Sequence, residues 1–416
     1  MIKVHFIGIG GIGISALAQY YLAKGWQVSG SDLAESEMIG ILKKAGAEII
    51  IGHRALNLLE AVDRVIYSAA VADDNPELEQ ARNLGAEILS YAEALGELTR
   101  QYITLAVSGA HGKSTTTALL SLILIKAGLD PTVIIGTRLK EFRLASTRQT
   151  RQGEAGGTNF RAGRSRYLVI EADEYNRSFL HFYPTIAVIT NIDREHLDTY
   201  KNIDEIVATF ARYFENIAGV GALVANGNDV FTQKAVKLWR AAKRTATAKL
   251  VIYGKKNKRW RLRIPGAFNE LNAEAAWQAA KLLGVSERTA RAALKTYSGS
   301  WRRLEALLPR RKTTAARNQI FFSDYAHHPT EIKATIGALK AAYPRRKIVI
   351  VFQPHQLQRL NNLFEDFVRA FDACDRLVLL PTYQVAGRET TTLKTTRDLF
   401  AEVKKWGKVP QFFYLK

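Results

Sequence analysis

Two glycine-rich turns, each set between a strand-like run and a helix-like stretch, constrain the fold of this chain more than any other feature. The first, Gly8-Ile9-Gly10-Gly11-Ile12-Gly13, follows the strand-like run at residues 3–7 and matches G-x-G-x-x-G. That spacing permits a tight turn, lets the backbone approach a diphosphate closely, and packs a helix hard against a strand. The N–H groups at the helix start then face the anion. Asp32, at the end of the next strand-like run, lies where an acid that contacts a ribose hydroxyl would sit. The motif alone does not separate NAD from another diphosphate bearing a nucleoside, such as a UDP-sugar.

The second turn, Ser108-Gly109-Ala110-His111-Gly112-Lys113-Ser114-Thr115, follows the strand-like run 103–107 and reads as a shortened phosphate loop. Gly109 and Gly112 let backbone amides turn inward as an anion nest. Lys113 sets a positive charge at the β- and γ-phosphates, and the Ser114 hydroxyl is placed to ligate Mg²⁺. A magnesium site calls for acids at neighbouring strand ends. Residues 167–170 are apolar and run into Glu171, Asp173 and Glu174; residues 185–190 run into Asn191, Asp193, Glu195 and His196. Ligands gather outside the carboxyl ends of strands in open α/β sheets.

The rest of the chain repeats one grammar of short apolar strand, turn and amphipathic helix, which predicts an α/β fold with parallel sheets and crossover helices. The first stretch has strands at 3–7, 27–30 and 64–68, and a helix over 14–24. The second adds strands at 103–107, 167–170 and 185–190, and a helix over 272–283. The third has strands at 320–323, 347–352 and 376–380. We divide the chain into three domains, 1–98, 99–297 and 298–416. Residues 138–165 and 243–263 show no periodicity and read as loops.

Composition narrows the class. The 416 residues carry a net charge of +20. The excess crowds Arg143, Arg148, Arg151, Arg161, Arg164 and Arg166, and again Arg310, Arg311, Lys312 and Arg317. Aromatics do not alternate with these charges as a base-stacking platform needs, so they read as solvated loops and no nucleic-acid partner is expected. The single cysteine, Cys374, excludes an internal disulfide and a thiolate zinc site. No leader and no membrane span are expected, and the protein reads as soluble and cytoplasmic, a monomer or weak homodimer.

Together these residues resemble the Mur ligase family. Residues 109–117 are similar to its G-T-H-G-K-T-T-T-T loop. Glu171-Ala172-Asp173-Glu174, Thr190-Asn191-Ile192 and Asn269-Glu270-Leu271-Asn272 look like its central-domain motifs. Trp301-Arg302-Arg303-Leu304-Glu305, the run 324–331 and Phe352-Gln353-Pro354-His355 look like its C-terminal ones. The resemblance implies a Rossmann-like UDP-binding domain, a P-loop ATPase-like domain and a shortened Rossmann-like C-terminal domain that closes over ATP and binds the amino acid. It implies ATP and Mg²⁺, with UDP-N-acetylmuramate and L-alanine as substrates. By motif position Gly8, Gly10, Gly11, Gly13, Ser31, Asp32, His53 and Ser68 would hold the UDP-sugar. Gly109, Ala110, His111, Gly112, Lys113, Ser114, Thr115, Asn191, Asn269, Asn272, Arg303 and Asp324 would hold ATP. Ser114, Glu171 and His196 would ligate the metal; Tyr325, His327, His355 and Arg359 would face the amino acid. Lys113, Glu171, His196, His327 and Arg303 would carry the catalysis.

This chain departs from the family at Gln356, where the alanine-adding branch shows an arginine, and at Phe268 and Ser323. The run 143–156 reads as a basic insertion, and the C-terminal domain reads as curtailed. Four rivals remain at this level: a recycling-branch ligase that attaches a tripeptide, a non-catalytic homologue, an NAD-dependent oxidoreductase, and a nucleic-acid-associated NTPase that the net charge and Lys113 would suit.

Overall fold

The computed structural model describes residues 2–58, 62–142, 157–242, 247–255, 259–307, 319–383 and 394–415. The chain forms two compact units. Met1–Asp193, Ile203–Trp260 and Asn272–Lys295 make one; Arg194–Asn202, Arg261–Leu271 and Thr296–Lys416 make the other.

The first unit holds two sheets, and it runs through residue 98 without a break. Strands β1 (Lys3–Ile7), β2 (Gln27–Asp32), β3 (Glu48–Ile51), β4 (Arg64–Tyr67) and β5 (Glu87–Ser90) pair in parallel in the order 3-2-1-4-5. Val4, Phe6 and Ile7 of β1 are fully buried, the mark of a strand covered on both faces. Helices α1 (Ile12–Ala23), α2 (Glu37–Lys44), α3 (Pro76–Asn83) and α4 (Tyr91–Gln101) make the crossovers. Strand order reverses between β1 and β4, so Gly8 leaves the sheet at its topological switch point.

The second sheet comprises β6 (Ile103–Ser108), β7 (Thr132–Leu139), β8 (Thr158–Arg161), β9 (Tyr167–Glu171), β10 (Ile186–Ile189), β11 (Ala222–Asn226) and β12 (Lys249–Tyr253). Its order is 12-11-10-6-9-7-8, parallel except for β8 against β7. Helices α5 (Lys113–Lys126), α6 (Ile203–Tyr213), α7 (Val230–Ala242), α8 (Ala267–Lys281) and α9 (Glu287–Leu294) follow its strands. The central strand β6 lies between β9 and β10, which brings Glu171 and Asn191 to either side of the phosphate loop.

Two segments expected to be loops contain strands. β8 lies within 138–165 and β12 within 243–263. β8 was hidden because its sequence, Thr-Asn-Phe-Arg, is polar and yet buried. Asn159 donates to the Ile12 carbonyl and, at 3.0 Å, to Ser15 Oγ, while Gln19 Nε2 donates to Asn159 Oδ1 at 2.7 Å. This polar seam ties α1, the helix behind the first glycine turn, onto the second sheet. Arg161, expected to be solvated, pairs with Asp130 and donates to the Pro131 carbonyl at 2.7 Å. The basic run 143–156 and the cluster Arg310, Arg311, Lys312 and Arg317 lie outside the described residues.

In the second unit β13 (Glu305–Leu307) and β14 (Phe321–Ser323) form an antiparallel pair. β15 (Val349–Phe352), β16 (Arg376–Leu379) and β17 (Gln411–Tyr414) form a parallel sheet in that order. Helices α10 (Pro329–Ala342), α11 (Leu357–Asn362), α12 (Phe364–Val368) and α13 (Thr396–Trp406) complete it around a core that includes Ile336, Phe367, Phe371, Leu377 and Leu399. Cys374 is buried and free, its thiol pushed up to about 11 by burial. No helix among the described residues is long and apolar enough to cross a membrane.

Candidate active site

At the end of β1, Gly8 takes φ +75°, a conformation that glycine alone adopts cheaply. The Ser31 carbonyl accepts from the Gly8 and Ile9 N–H groups at 2.8 and 3.0 Å, and Ser68 lies over Gly8, 3.0 Å from where a β-carbon would be. A β-carbon on Gly10 would stand 2.9 Å from Asp32 Oδ2. Asp32 accepts from the Gly10 and Leu33 N–H groups at 2.8 and 2.7 Å. The carboxylate expected at a ribose hydroxyl is thus engaged in bracing the turn. The ladder of α1 begins with Ser15 N–H donating to the Gly11 carbonyl at 2.9 Å, so the amides of residues 12–14 stand outside it as helix-start donors. Gly13 is needed for a different reason: its β-carbon would meet the Tyr91 hydroxyl at 3.0 Å.

Beside this turn, Glu77 of α3 is fully buried. Its Oε2 accepts from His5 Nε2 at 2.9 Å and Ser31 Oγ at 2.7 Å. Its Oε1 accepts from His53 Nδ1 at 3.3 Å, the Arg54 N–H at 3.2 Å and Asn57 Nδ2 at 2.7 Å. Burial alone would raise its pKa, but the His5, Ser31 and Asn57 hydrogen bonds and the His5 charge outweigh burial and hold it below the usual range. An ionised carboxylate only accepts, so the His5 and His53 nitrogens that face it carry the protons. Ser31 spends its one proton on Glu77 and accepts from His53 Nδ1 at 2.9 Å.

The second loop is built on close approach. Gly109 has φ +125° and a β-carbon there would stand 2.6 Å from the Asn191 carbonyl; Gly112 has φ +84° and its β-carbon would stand 2.5 Å from Asn272 Oδ1. Asn191 clamps the loop: its Oδ1 accepts from His111 N–H and its Nδ2 donates to the His111 carbonyl, both at 2.9 Å, while its carbonyl accepts from Ala110 N–H at 3.0 Å. Asn191 thus holds the backbone of the loop. His111 Nε2 lies 2.9 Å from Asp193 Oδ2. Lys113 Nζ donates to both Glu174 oxygens at 2.9 and 3.1 Å and lies 3.5 Å from Asp173. Burial opposes its charge, yet Glu174 and Asp173, with Glu171 behind them, push its pKa up and keep it an ammonium. Ser114 Oγ donates to Glu171 Oε2 at 3.1 Å, and Gly136 N–H holds Oε1 at 2.7 Å. Ser114 and Thr115 are both buried.

The second unit gathers its own polar cluster. Arg359 Nη2 donates to buried Glu195 at 3.3 Å, and His327 Nε2 lies 4.0 Å from the same carboxylate. Burial would raise Glu195, but Arg359 and then the nearby histidines take it down to about 2. Burial drives His327 down to about 4, helped by Arg359 against the pull of Glu331 and Glu195. His327 is a neutral imidazole at pH 7; its backbone N–H donates to Glu331 at 3.0 Å, and its Nδ1 lies 2.9 Å from the Tyr325 carbonyl. Arg303 reaches Glu331 at 3.4 Å and covers the Tyr325 ring at 5.4 Å. Asp324 accepts from Thr335 Oγ1 at 2.6 Å while burial pushes its carboxyl up. His355 stacks on Tyr383 with centroids 5.4 Å apart. Gln356, at φ +68°, starts α11 and donates its N–H to the Tyr383 carbonyl at 3.1 Å. Asn269 is buried and its Nδ2 bonds the Pro265 carbonyl at 2.6 Å, so its amide is engaged on its own chain. His196, also in this unit, adopts φ +56° and its carbonyl accepts from Thr199 N–H at 2.8 Å.

Residues 3–103 match the model of the Mur ligase family catalytic domain, 107–280 that of the middle domain, and 303–412 that of the glutamate ligase domain. The chain belongs to the Mur ligase family. It is 40% identical to a UDP-N-acetylmuramate–L-alanine ligase of Aquifex aeolicus over 403 residues, covering 92% of this chain and 84% of that protein. A Caldanaerobacter subterraneus ligase with the same description is 38% identical, covering 98% and 88%. The crystal structure of the Thermotoga maritima UDP-N-acetylmuramate–alanine ligase superposes with a TM-score of 0.78 at 26% identity, covering all of this chain and 90% of that one. The Psychrobacter arcticus murein peptide ligase gives 0.71 at 23% identity, a likeness of fold. Within this Mur ligase, reading the sequence missed Glu77, Gly136 and Tyr91. Glu77 had a visible signal as an acid in the first helical turn after Pro76, but that pattern also suits a solvated helix start.

Proposed function

We propose that this chain joins L-alanine to the carboxylate of UDP-N-acetylmuramate at the expense of ATP. Residues 1–98 would hold the UDP-sugar, 99–297 ATP, and 298–416 the amino acid, in the cytoplasm where these nucleotides are found. One observation carries the reading: two separate anion cradles share the first unit, and only the second is equipped for phosphoryl transfer. Lys113 there is kept charged, and Ser114 pairs with Glu171 at 3.1 Å.

The muramate carboxylate oxygen attacks the γ-phosphorus, ADP departs, and an acyl phosphate forms. The alanine amine then attacks the acyl carbon, inorganic phosphate leaves, and the nitrogen loses its proton. This chemistry rests on positioning and charge neutralisation. Lys113 supplies fixed positive charge at the transferred group. The Ser114 hydroxyl and Glu171 carboxylate form an oxygen donor set that suits Mg²⁺, with Gly136 N–H fixing the carboxylate. A magnesium ion held there would offset the charge on the phosphate oxygens. His196, Arg303 and Asp324 are assigned to the metal and nucleotide by motif position. Tyr325, His327, His355 and Arg359 are assigned to the amino acid in the same way.

Phosphate release from ATP with Mg²⁺ and UDP-N-acetylmuramate, each amino acid being added in turn, tests the assignment. L-Alanine should give the largest stimulation. Stimulation by a tripeptide alone would move the chain to the recycling branch, and no stimulation while both nucleotides bind would make it non-catalytic.

A further inference from the structure

Tyr91 is the first residue of α4, directly after the cap Ser90. Ser90 Oγ accepts from Glu93 N–H at 3.2 Å and Glu93 accepts from Ser90 N–H at 2.8 Å, a reciprocal pair that fixes the first turn. The ring is thereby laid against Gly13, with Oη and Cζ at 3.0 and 3.1 Å from the position of a β-carbon. Tyr91 is only partly exposed, and a phenol in such a place ordinarily finds a hydrogen-bond partner. This hydroxyl bonds to no described residue. On one side of it are the helix-start amides of residues 12–14. Burial, with the charges of Glu171 at the end of β9 and of Asp173 just after it, raises its pKa and keeps it a proton donor.

An O–H donor beside unpaired amides favours an anionic oxygen, and the glycine turn offers the anion site. We propose that Tyr91 is a substrate-binding residue whose hydroxyl donates a hydrogen bond to the diphosphate of the UDP-sugar, beside Gly13 of the first cradle. The inference rests on the functional reading above. It explains why Gly13 must lack a side chain: the space belongs to Tyr91.

The test is Tyr91→Phe, which keeps the ring on Gly13 and removes the hydroxyl alone. Binding of UDP-N-acetylmuramate is measured by calorimetry without ATP, beside KM for each substrate. A lost hydrogen bond to a charged oxygen should weaken UDP-sugar binding roughly tenfold or more, with the KM for ATP and the melting temperature unchanged. Unaltered UDP-sugar affinity would overturn the proposal. So would a rise in the ATP KM alone, which would place the hydroxyl at the other nucleotide. Because calorimetry needs no turnover, a wild-type protein that binds the UDP-sugar without ligating alanine would sink the functional reading and leave this inference to stand or fall on the variant.

Discussion

Replacing Glu77 with Gln keeps the shape of the side chain and exchanges one acceptor oxygen for an NH₂ group. Oε2 accepts from two donors and Oε1 from three, so either orientation of the amide leaves at least two of them facing a donor. An orphaned buried donor costs about 1–3 kcal/mol, so the first sheet should lose roughly 3 kcal/mol at pH 7. Hydrogen exchange of the β1 and β2 amides is the suitable assay, because it reads the opening of one region without assuming that the whole chain unfolds in one step. Protection there should fall roughly a hundredfold. The pH dependence has a definite sign. The folded-state pKa of Glu77 lies below its ordinary value, so its contribution is complete above the normal carboxylate range and is lost as pH falls through the lowered value. The gap between wild type and variant should therefore be widest near neutrality and narrow in acid, with His5 and His53 the titratable groups facing Glu77. A gap under about 0.5 kcal/mol at pH 7, or one that widens in acid, would refute the ionised-acceptor account.

Three further outcomes follow from the geometry. Lys113→Ala should abolish turnover and leave UDP-sugar affinity unchanged by calorimetry; joint loss of both would mean the two cradles are not separate. Gly136→Ala would place a β-carbon 2.9 Å from Glu171 Oε2. The displaced carboxylate should lower kcat by roughly tenfold to a hundredfold with the melting temperature little altered, and an unchanged kcat would remove Glu171 from the mechanism. Arg359→Met strands Glu195, whose side chain is 5% exposed. Denaturant unfolding of the variant should show a loss of about 3–5 kcal/mol at pH 7, shrinking as pH falls toward the wild-type Glu195 value of about 2; a loss independent of pH would exclude the pair as its source.

Reading the sequence succeeded where chemistry is written in contiguous residues. Both glycine turns, Lys113, Ser114 and Glu171 stand at strand ends, and each strand is an apolar run long enough to recognise. It failed where polar side chains are buried by tertiary partners. Thr158 and Asn159 look like loop residues because their reason for burial, the amide of Gln19, lies 139 and 140 positions away. Gly136 and Tyr91 carry no local signal, since each matters only through a side chain from another segment. Asp32 and Asn191 also brace the turns beside them, a role that contiguous sequence does not display because each acts on the backbone of another segment.

The acyl phosphate at the centre of the proposed reaction leaves a mark on its products. UDP-N-acetylmuramate carrying ¹⁸O in its carboxylate, turned over with ATP, Mg²⁺ and L-alanine, should pass one heavy oxygen to inorganic phosphate, read by mass spectrometry. Phosphate released without the label while the amide accumulates would contradict attack of that carboxylate on the γ-phosphorus.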